Sequence, residues 1–434
     1  MSREMKDSGI PWIGEIPKDW GCARMKQIGK YVNGYAFKPE DWSCSGKPII
    51  RIQDLTGSNN SPNYYEGDID EKYLIKDGDI LVSWAATLDA FIWNKGEGWL
   101  NQHIFKAIPN TIAQKDFFFW LLKVAMVHMN NDNKHGIVMQ HLTTSVFGNF
   151  IVPIPHLSEQ QKIAEFLDKK CSETDEMIAL QEQIIEELKA YKQSVITEAV
   201  TKGLNPNVPM KDSGIDWITS IPTLWKIAKI KNVISLLTDY DANGSFADIA
   251  SNVKVNVGTP YAWMVRATDL ANNRFGIVEG NNYCDVSTFY YLRKSVVHSG
   301  DVLIAKRGEI GKVYLVPNID CPMTLAPNTY LLKLKNELIN NRYFYYALTS
   351  EIGKMQLVLN NKSTAIGAIY KDDVKGISLP LPPLTEQQTI ADYLDKKCGE
   401  IDALISIKQQ KIENLKEYKK SIIYEYVTGK KEVE

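Results

Sequence analysis

The segment LSEQQKIAEFLDKKC, running from Leu157 to Cys171, recurs as LTEQQTIADYLDKKC from Leu384 to Cys398, and the match continues without a gap to Thr201 and Thr428. More than half of about 45 aligned positions are identical, far beyond chance, so the chain is one half written twice. A second match, MKDSGIPWIGEIPKDW from Met5 against MKDSGIDWITSIPTLW from Met210, marks where each half begins. Between these anchors the halves diverge but keep landmarks in order. Arg51-Ile-Gln-Asp-Leu55 answers Arg266-Ala-Thr-Asp-Leu270, Asp77-Gly-Asp-Ile-Leu81 answers Ser299-Gly-Asp-Val-Leu303, and Ile151-Val-Pro-Ile-Pro155 answers Ser378-Leu-Pro-Leu-Pro382. One scaffold carrying two different surfaces is expected.

After each proline-containing strand, Ser158 or Thr385 stands three residues before Gln161 or Gln388, which reads as a capping box opening a helix. Beyond it, apolar residues recur near every 3.5 positions: Leu167, Cys171, Ile178, Ile185, Leu188 and Val195, answered by Leu394, Cys398, Ile401, Ile405, Ile412, Leu415 and Ile422. That is a coiled-coil seam. Gln181, Lys192, Lys408 and Lys419 intrude at the same phase and are expected to fix register at some cost in stability. Neither helix meets Pro or Gly before Gly203 or Gly429 except at Gly399, so each can run for about 40 residues, roughly 60 Å at 1.5 Å per residue. Pairing equivalent helices about a pseudo-twofold makes them antiparallel and leaves a globular domain at each end.

The remaining residues mix short alternating segments, Pro48 to Ile52, Asp79 to Ser83, Asp301 to Ala305 and Lys312 to Val316, with turns rich in Gly and Asn. Those segments read as strands. The aromatic stretches Phe117 to Met126 and Arg342 to Leu348 have helical spacing and supply core. The expected class is α+β: two domains of mixed strands and helices, separated by two long antiparallel coiled-coil helices, with an internal pseudo-twofold repeat.

At 434 residues the chain exceeds one ordinary core, and its 44% apolar and 24% charged composition is that of a globular protein. Six cysteines lie scattered without a C-x-x-C pair, which argues against a disulfide framework or zinc site and fits a reducing cytoplasm. The N-terminus lacks an apolar signal-like run, and Phe117 to Val127 is too short to span a bilayer, so no membrane role is expected. A net charge of −2 means that any DNA footprint is local or shared with partners.

Chemistry of its own is hard to find. Gly308-Glu-Ile-Gly-Lys312 lacks the first glycine and the final hydroxyl of a phosphate loop. Asp168-Lys-Lys170 and Glu417-Tyr-Lys419 have an acid-x-Lys spacing but sit on the predicted long helices. The six histidines show no ligand spacing, and no nucleophile motif accompanies them. Donors that could reach DNA bases and phosphates are present in loops. Lys306, Arg307 and Lys312 follow a strand of the second domain, and Asn361, Lys362 and Ser363 form a compact donor-rich loop. Lys134, His135, Gln140 and His141 occupy the corresponding stretch of the first. Arg51 with Gln53, and Arg266 with Thr268, are paired between the halves; a shared scaffold ion pair or a phosphate contact suits the two arginines better than base reading.

Taken with the doubled Pro-x-Pro followed by Leu-Ser/Thr-Glu-Gln-Gln (Pro153 to Gln161, Pro380 to Gln388) and the Gly-Asp-Ile/Val-Leu within each domain, the chain resembles the specificity subunit of type I restriction-modification enzymes over nearly all its length. The resemblance implies target-recognition domains at 1–156 and 204–383, and conserved spacer helices at 157–203 and 384–434. It implies a non-catalytic subunit that reads a bipartite double-stranded DNA site and recruits two methyltransferase subunits and, through them, endonuclease/translocase subunits. It further implies that no cofactor is bound by this chain, S-adenosylmethionine, ATP and Mg being expected on the partners. The rival reading of the residues is a coiled-coil scaffold with two ligand-binding domains and no role on DNA.

Overall fold

The computed structural model describes residues 3–58, 61–85, 88–132, 144–307, 311–359 and 369–433. It divides into two compact units, Met1–Glu182 with Gln410–Glu434, and Gln183–Gln409. Each unit therefore holds one globular body together with parts of both long helices, Leu157–Lys202 and Leu384–Val427.

In the first unit an antiparallel sheet runs in the order Gly29–Asn33, Ile104–Pro109, Ile80–Ser83, Asp89–Ile92. A second sheet, Asn63–Tyr65, Lys47–Ile50, Gly98–Leu100, Leu74–Ile75, contains one parallel pair, Lys47–Ile50 with Gly98–Leu100. The second unit repeats this. Its first sheet is Ile234–Asp239, Thr329–Leu334, Val302–Ala305, Val313–Leu315, and its second is Tyr283–Cys284, Ala262–Val265, Met323–Leu325, Val296–Val297, with Ala262–Val265 parallel to Met323–Leu325. Two short ladders also recur: Gly21–Arg24 with Ile151–Ile154, and Lys226–Lys229 with Ser378–Leu381.

The shared Gly-Asp is the turn entering the central strand. Gly78 and Gly300 adopt φ of 86° and 83°, which favours glycine, and the Asp79 and Asp301 carboxylates accept the backbone N–H of Lys76 and His298, each at 2.8 Å. The Pro48 to Ile52 segment is strand only to Ile50. Beyond it the Asp54 carboxylate accepts the Arg51 backbone N–H at 2.8 Å, and Ile52–Thr56 turns helical, as does Ala267–Ala271 in the second unit.

The aromatic stretches form helices, Lys115–Asp132 and Asn341–Thr349, and bury Phe117, Phe118 and Trp120 in one unit and Tyr343, Phe344 and Tyr346 in the other. Tyr343 has its hydroxyl within the core, and burial pushes its ionisation well above the ordinary tyrosine range.

The two repeated sequence blocks prove to be one contact. Trp20, ending the first block, donates its indole N–H to the Glu159 carboxylate at 2.9 Å, and Trp225 does the same to Glu386 at 2.9 Å. Next to each acid is a fully buried glutamine. Gln160 donates to the carbonyls of Ile112 and Pro155 and accepts the Gln114 backbone N–H; Gln387 donates to Leu338 and Pro382 and accepts from Asn340. The long helices start two residues earlier than a capping box requires. Their first amides bond to His156 and Pro383, so Ser158 and Thr385 lie inside the first turn, and Gln161 and Gln388 reach forward to Glu165 and Asp392. With Leu157 and Leu384 already helical, Ser158 and Thr385 stand two positions past the cap, where their hydroxyls cannot close a capping box. At the other end Gly203, with φ of 77°, stops the first helix against Trp225.

Within the first unit Leu167 and Cys171 share a core with Ile422 and Val427; within the second, Ile196 and Val200 share one with Leu394 and Cys398. The beginning of each long helix thus lies beside the end of the other, and the helices are antiparallel. Of the seam positions, Leu167, Cys171, Ile185, Leu394, Cys398, Ile401, Ile412 and Ile422 are buried, while Ile178, Leu188, Val195, Ile405 and Leu415 are half-buried. Thr174 and Gln181 are also buried at the same phase, and the Gln181 carbonyl oxygen has no hydrogen-bond partner among the described residues. Two of the three lysines that intrude on the seam are paired across it, at equivalent places: Lys192 with Asp402 at 2.6 Å and Lys419 with Asp175 at 2.5 Å. Such exposed pairs are worth a few tenths of a kcal/mol, so they favour one register more than they add stability.

Candidate DNA interface

Arg266 closes the strand Ala262–Val265 and turns its guanidinium onto Asp269. The Nε bonds both carboxylate oxygens at 3.0 Å, and Nη2 bonds Oδ1 and the Gly280 carbonyl, each at 2.6 Å. Asp269 is fully buried and also meets the Trp263 indole N–H at 3.4 Å and Arg274 at 3.6 Å. This geometry is a scaffold ion pair. Replacing Arg266 by Met should destabilise the protein by about 2 kcal/mol, less than for a lone buried pair because Arg274 remains close; an unchanged melting temperature would count against that role. Arg51 departs from its counterpart: its guanidinium lies 5.7 Å from the Trp42 ring centroid, and its buried Nε has no hydrogen-bond partner among the described residues. Gln53 and Thr268 are both exposed on the short helices just beyond the two arginines.

Lys306 leaves the end of Val302–Ala305 and is held by two carboxylates, Asp239 at 3.0 Å and Asp241 at 2.8 Å, with the Tyr330 ring centroid 5.5 Å away. Lys371 grips Asp239 from the other side at 2.9 Å. Burial alone would raise the Asp239 pKa, but the Lys371 and Lys306 ammonium groups outweigh it and hold the carboxyl below its ordinary value. Burial likewise works against the Lys306 charge, and its bonds to Asp241 and Asp239 carry its pKa above the usual lysine value. Arg307 and Lys312 are exposed beside this cluster. The sequence singled out Lys306, Arg307 and Lys312 but not Asp239, Asp241 or Lys371, which come from a distant strand, turn and helix and leave no local signal.

The first unit puts other chemistry at the same place. Strand register makes Trp84 the equivalent of Lys306, His103 that of Asn328 and Phe105 that of Tyr330; the backbone bonds Trp84 N–H to His103 carbonyl and Lys306 N–H to Asn328 carbonyl correspond. Here Trp84 stacks on Phe105, with centroids 5.7 Å apart, and packs edge-on to His103 at 5.2 Å. The candidates Lys134, His135, Gln140, His141, Asn361, Lys362 and Ser363 lie outside the described residues. The acid-x-Lys pairs on the long helices are tied up structurally. Asp168 accepts the Trp120 indole N–H, Lys170 pairs with Glu173 and Lys419 with Asp175. Among the described residues no helix is long and apolar enough to cross a membrane.

The family described as type I restriction modification DNA specificity domain matches the chain twice, at residues 17–190 and 223–417. The specificity subunit of the type I restriction enzyme EcoBI from Escherichia coli is 25% identical over 413 residues, covering 93% of this chain and 84% of that one. The MjaVIII specificity subunit from Methanocaldococcus jannaschii is 26% identical over 438 residues, covering 96% and 93%. Among solved structures, a chain from work on complex assembly and conformational transition of the type I R-M system superposes with a TM-score of 0.69 at 17% identity, over 95% of this chain and 98% of its own. The HsdS subunit from Thermoanaerobacter tengcongensis gives a TM-score of 0.50 at 17% identity over the same shares. At such identity these superpositions speak for the fold.

Proposed function

Because the chain belongs to the type I restriction-modification DNA specificity family, we propose that it reads an asymmetric bipartite DNA site and docks two methyltransferase subunits that methylate adenine. The observation that carries the reading is the pair of domains with one strand topology and different chemistry at equivalent positions, Trp84 with His103 in one and Lys306 with Asp239 and Asp241 in the other. Identical readers related by a pseudo-twofold suit a palindrome, whereas unlike readers suit two different half-sites. The chain acts as a non-catalytic subunit in the cytoplasm of a bacterium or archaeon. S-adenosylmethionine sits on the methyltransferase, and ATP and Mg on the endonuclease/translocase.

Two equivalent apolar patches support two copies of one partner. In the first unit Met177, Leu180 and Tyr418 are exposed on the long helices; in the second, Leu404, Ile407 and Tyr191 occupy the corresponding repeat positions, all between 42% and 62% exposed. Large apolar side chains repeated in register on a solvent face suit a protein interface better than DNA.

The test is binding to duplex DNA with and without the methyltransferase. Weak binding alone and tight, salt-sensitive binding with the partner are expected, since the near-neutral chain relies on shared phosphate contacts. Equal affinity in both states would sink the reading, as would a methylated motif that proves palindromic.

A further inference from the structure

Resting on that reading, we propose that Lys306 and Asp241 form a preset donor and acceptor pair that reads one G·C base pair in the second half-site. Three features of the cluster point there.

The first is geometry. Lys306 Nζ and Asp241 Oδ2 lie 2.8 Å apart, and among the described residues the ammonium spends two of its three N–H groups, on Asp239 and Asp241. In the major groove guanine offers the O6 and N7 acceptors beside the cytosine N4 amino donor. A lysine can donate to the first while a carboxylate accepts from the second, so a lysine and a carboxylate held side by side offer both complements of one G·C edge.

The second is the way the pair is held. Asp239, nearly buried, anchors Lys306 from beneath and is itself anchored by Lys371, and the Tyr330 ring flanks the ammonium. Asp241, by contrast, is 68% exposed on the turn Tyr240–Asn243, while Lys306 is 20% exposed. An exposed carboxylate repels phosphate, so a lysine meant only for the DNA backbone would be poorly served by this neighbour; a base amino group is the ligand that rewards it.

The third is that the pair belongs to one domain only. Trp84 and Phe105 stand at the positions of Lys306 and Tyr330, and the backbone around them keeps the same bonds. The scaffold has been kept and the chemistry exchanged, as expected where the two half-sites differ.

The experiment uses the full chain co-expressed with its methyltransferase, with the methylated motif read by sequencing of modified bases. The second half-site is the one that survives exchange of residues Met5 to Pro155. Asp241→Ala should relax one G·C position in that half by at least tenfold, leaving the first half-site and spacer unchanged. Lys306→Met should relax the same position. Melting curves identify any variant that fails to fold. An unrelaxed motif in Asp241→Ala, or a second half-site without a G·C pair, overturns the inference. A wild-type complex that yields no bipartite motif at all overturns instead the functional reading on which it rests.

Discussion

Gln160→Leu and Gln387→Leu should each cost about 3 kcal/mol of stability, while Gln161→Leu and Gln388→Leu should stay within about 0.5 kcal/mol of wild type. The four residues are sequence neighbours of the same type, so composition does not separate them; their surroundings do. The first of each pair is fully buried and satisfies three backbone groups at the junction of strand, loop and long helix, two as donor and one as acceptor. Leucine fills similar volume but leaves two carbonyls and one N–H without partners and away from water, and each such orphan costs about 1 kcal/mol or more. The second of each pair is exposed: Gln161 bonds along its own helix to Glu165, and Gln388 donates to Asp392 and accepts from the Asn340 side-chain amide, contacts that water can replace. Denaturant melts followed by circular dichroism check the contrast. Equal losses at all four positions would show that the buried amides do not hold the junction.

That contrast also marks how far a sequence can be read. The repeat and the antiparallel helices were legible because they are written locally, as a self-match and a seam repeating every 3.5 residues, whereas the Gly-Asp pairs were legible only as landmarks, their turn being set by the glycine φ and the aspartate's bond back to the backbone. Identical Glu-Gln-Gln triplets announced that something was being kept, yet the residues suggested a capping box. Their real work is long-range: Glu159 meets Trp20, and Gln160 meets Ile112 and Gln114. The same limit governed the candidate interface. Lys306 was visible as a basic residue after a strand, but its meaning comes from Asp239, Asp241 and Lys371, brought together only by the tertiary fold. Arg51 and Arg266 look alike in sequence and behave differently, because Arg266 bonds Asp269 and Gly280 whereas Arg51 lies beside Trp42.

Partner docking gives the second large effect. On the proposed reading, Leu180→Asp should remove one methyltransferase copy from the assembly, Ile407→Asp should remove the other, and the double variant should bind neither. Both positions are exposed, at 53% and 62%, and lie off the seam, so the substitutions cost the helix little beyond the lower propensity of Asp. At the centre of an apolar contact, however, a buried unpaired carboxylate is expected to weaken binding by about 2 kcal/mol or more, roughly thirtyfold in Kd. The pseudo-twofold gives the experiment its force. A single substitution alters one patch and leaves Met177, Leu180 and Tyr418, or Leu404, Ile407 and Tyr191, intact in the other unit. Mass measurement of the purified complexes should therefore fall from two partner copies to one in each single variant, with unchanged melting of the free chain. Two copies retained in both single variants would place the docking surface elsewhere, while loss of both copies in either one would mean that the patches do not act as independent sites.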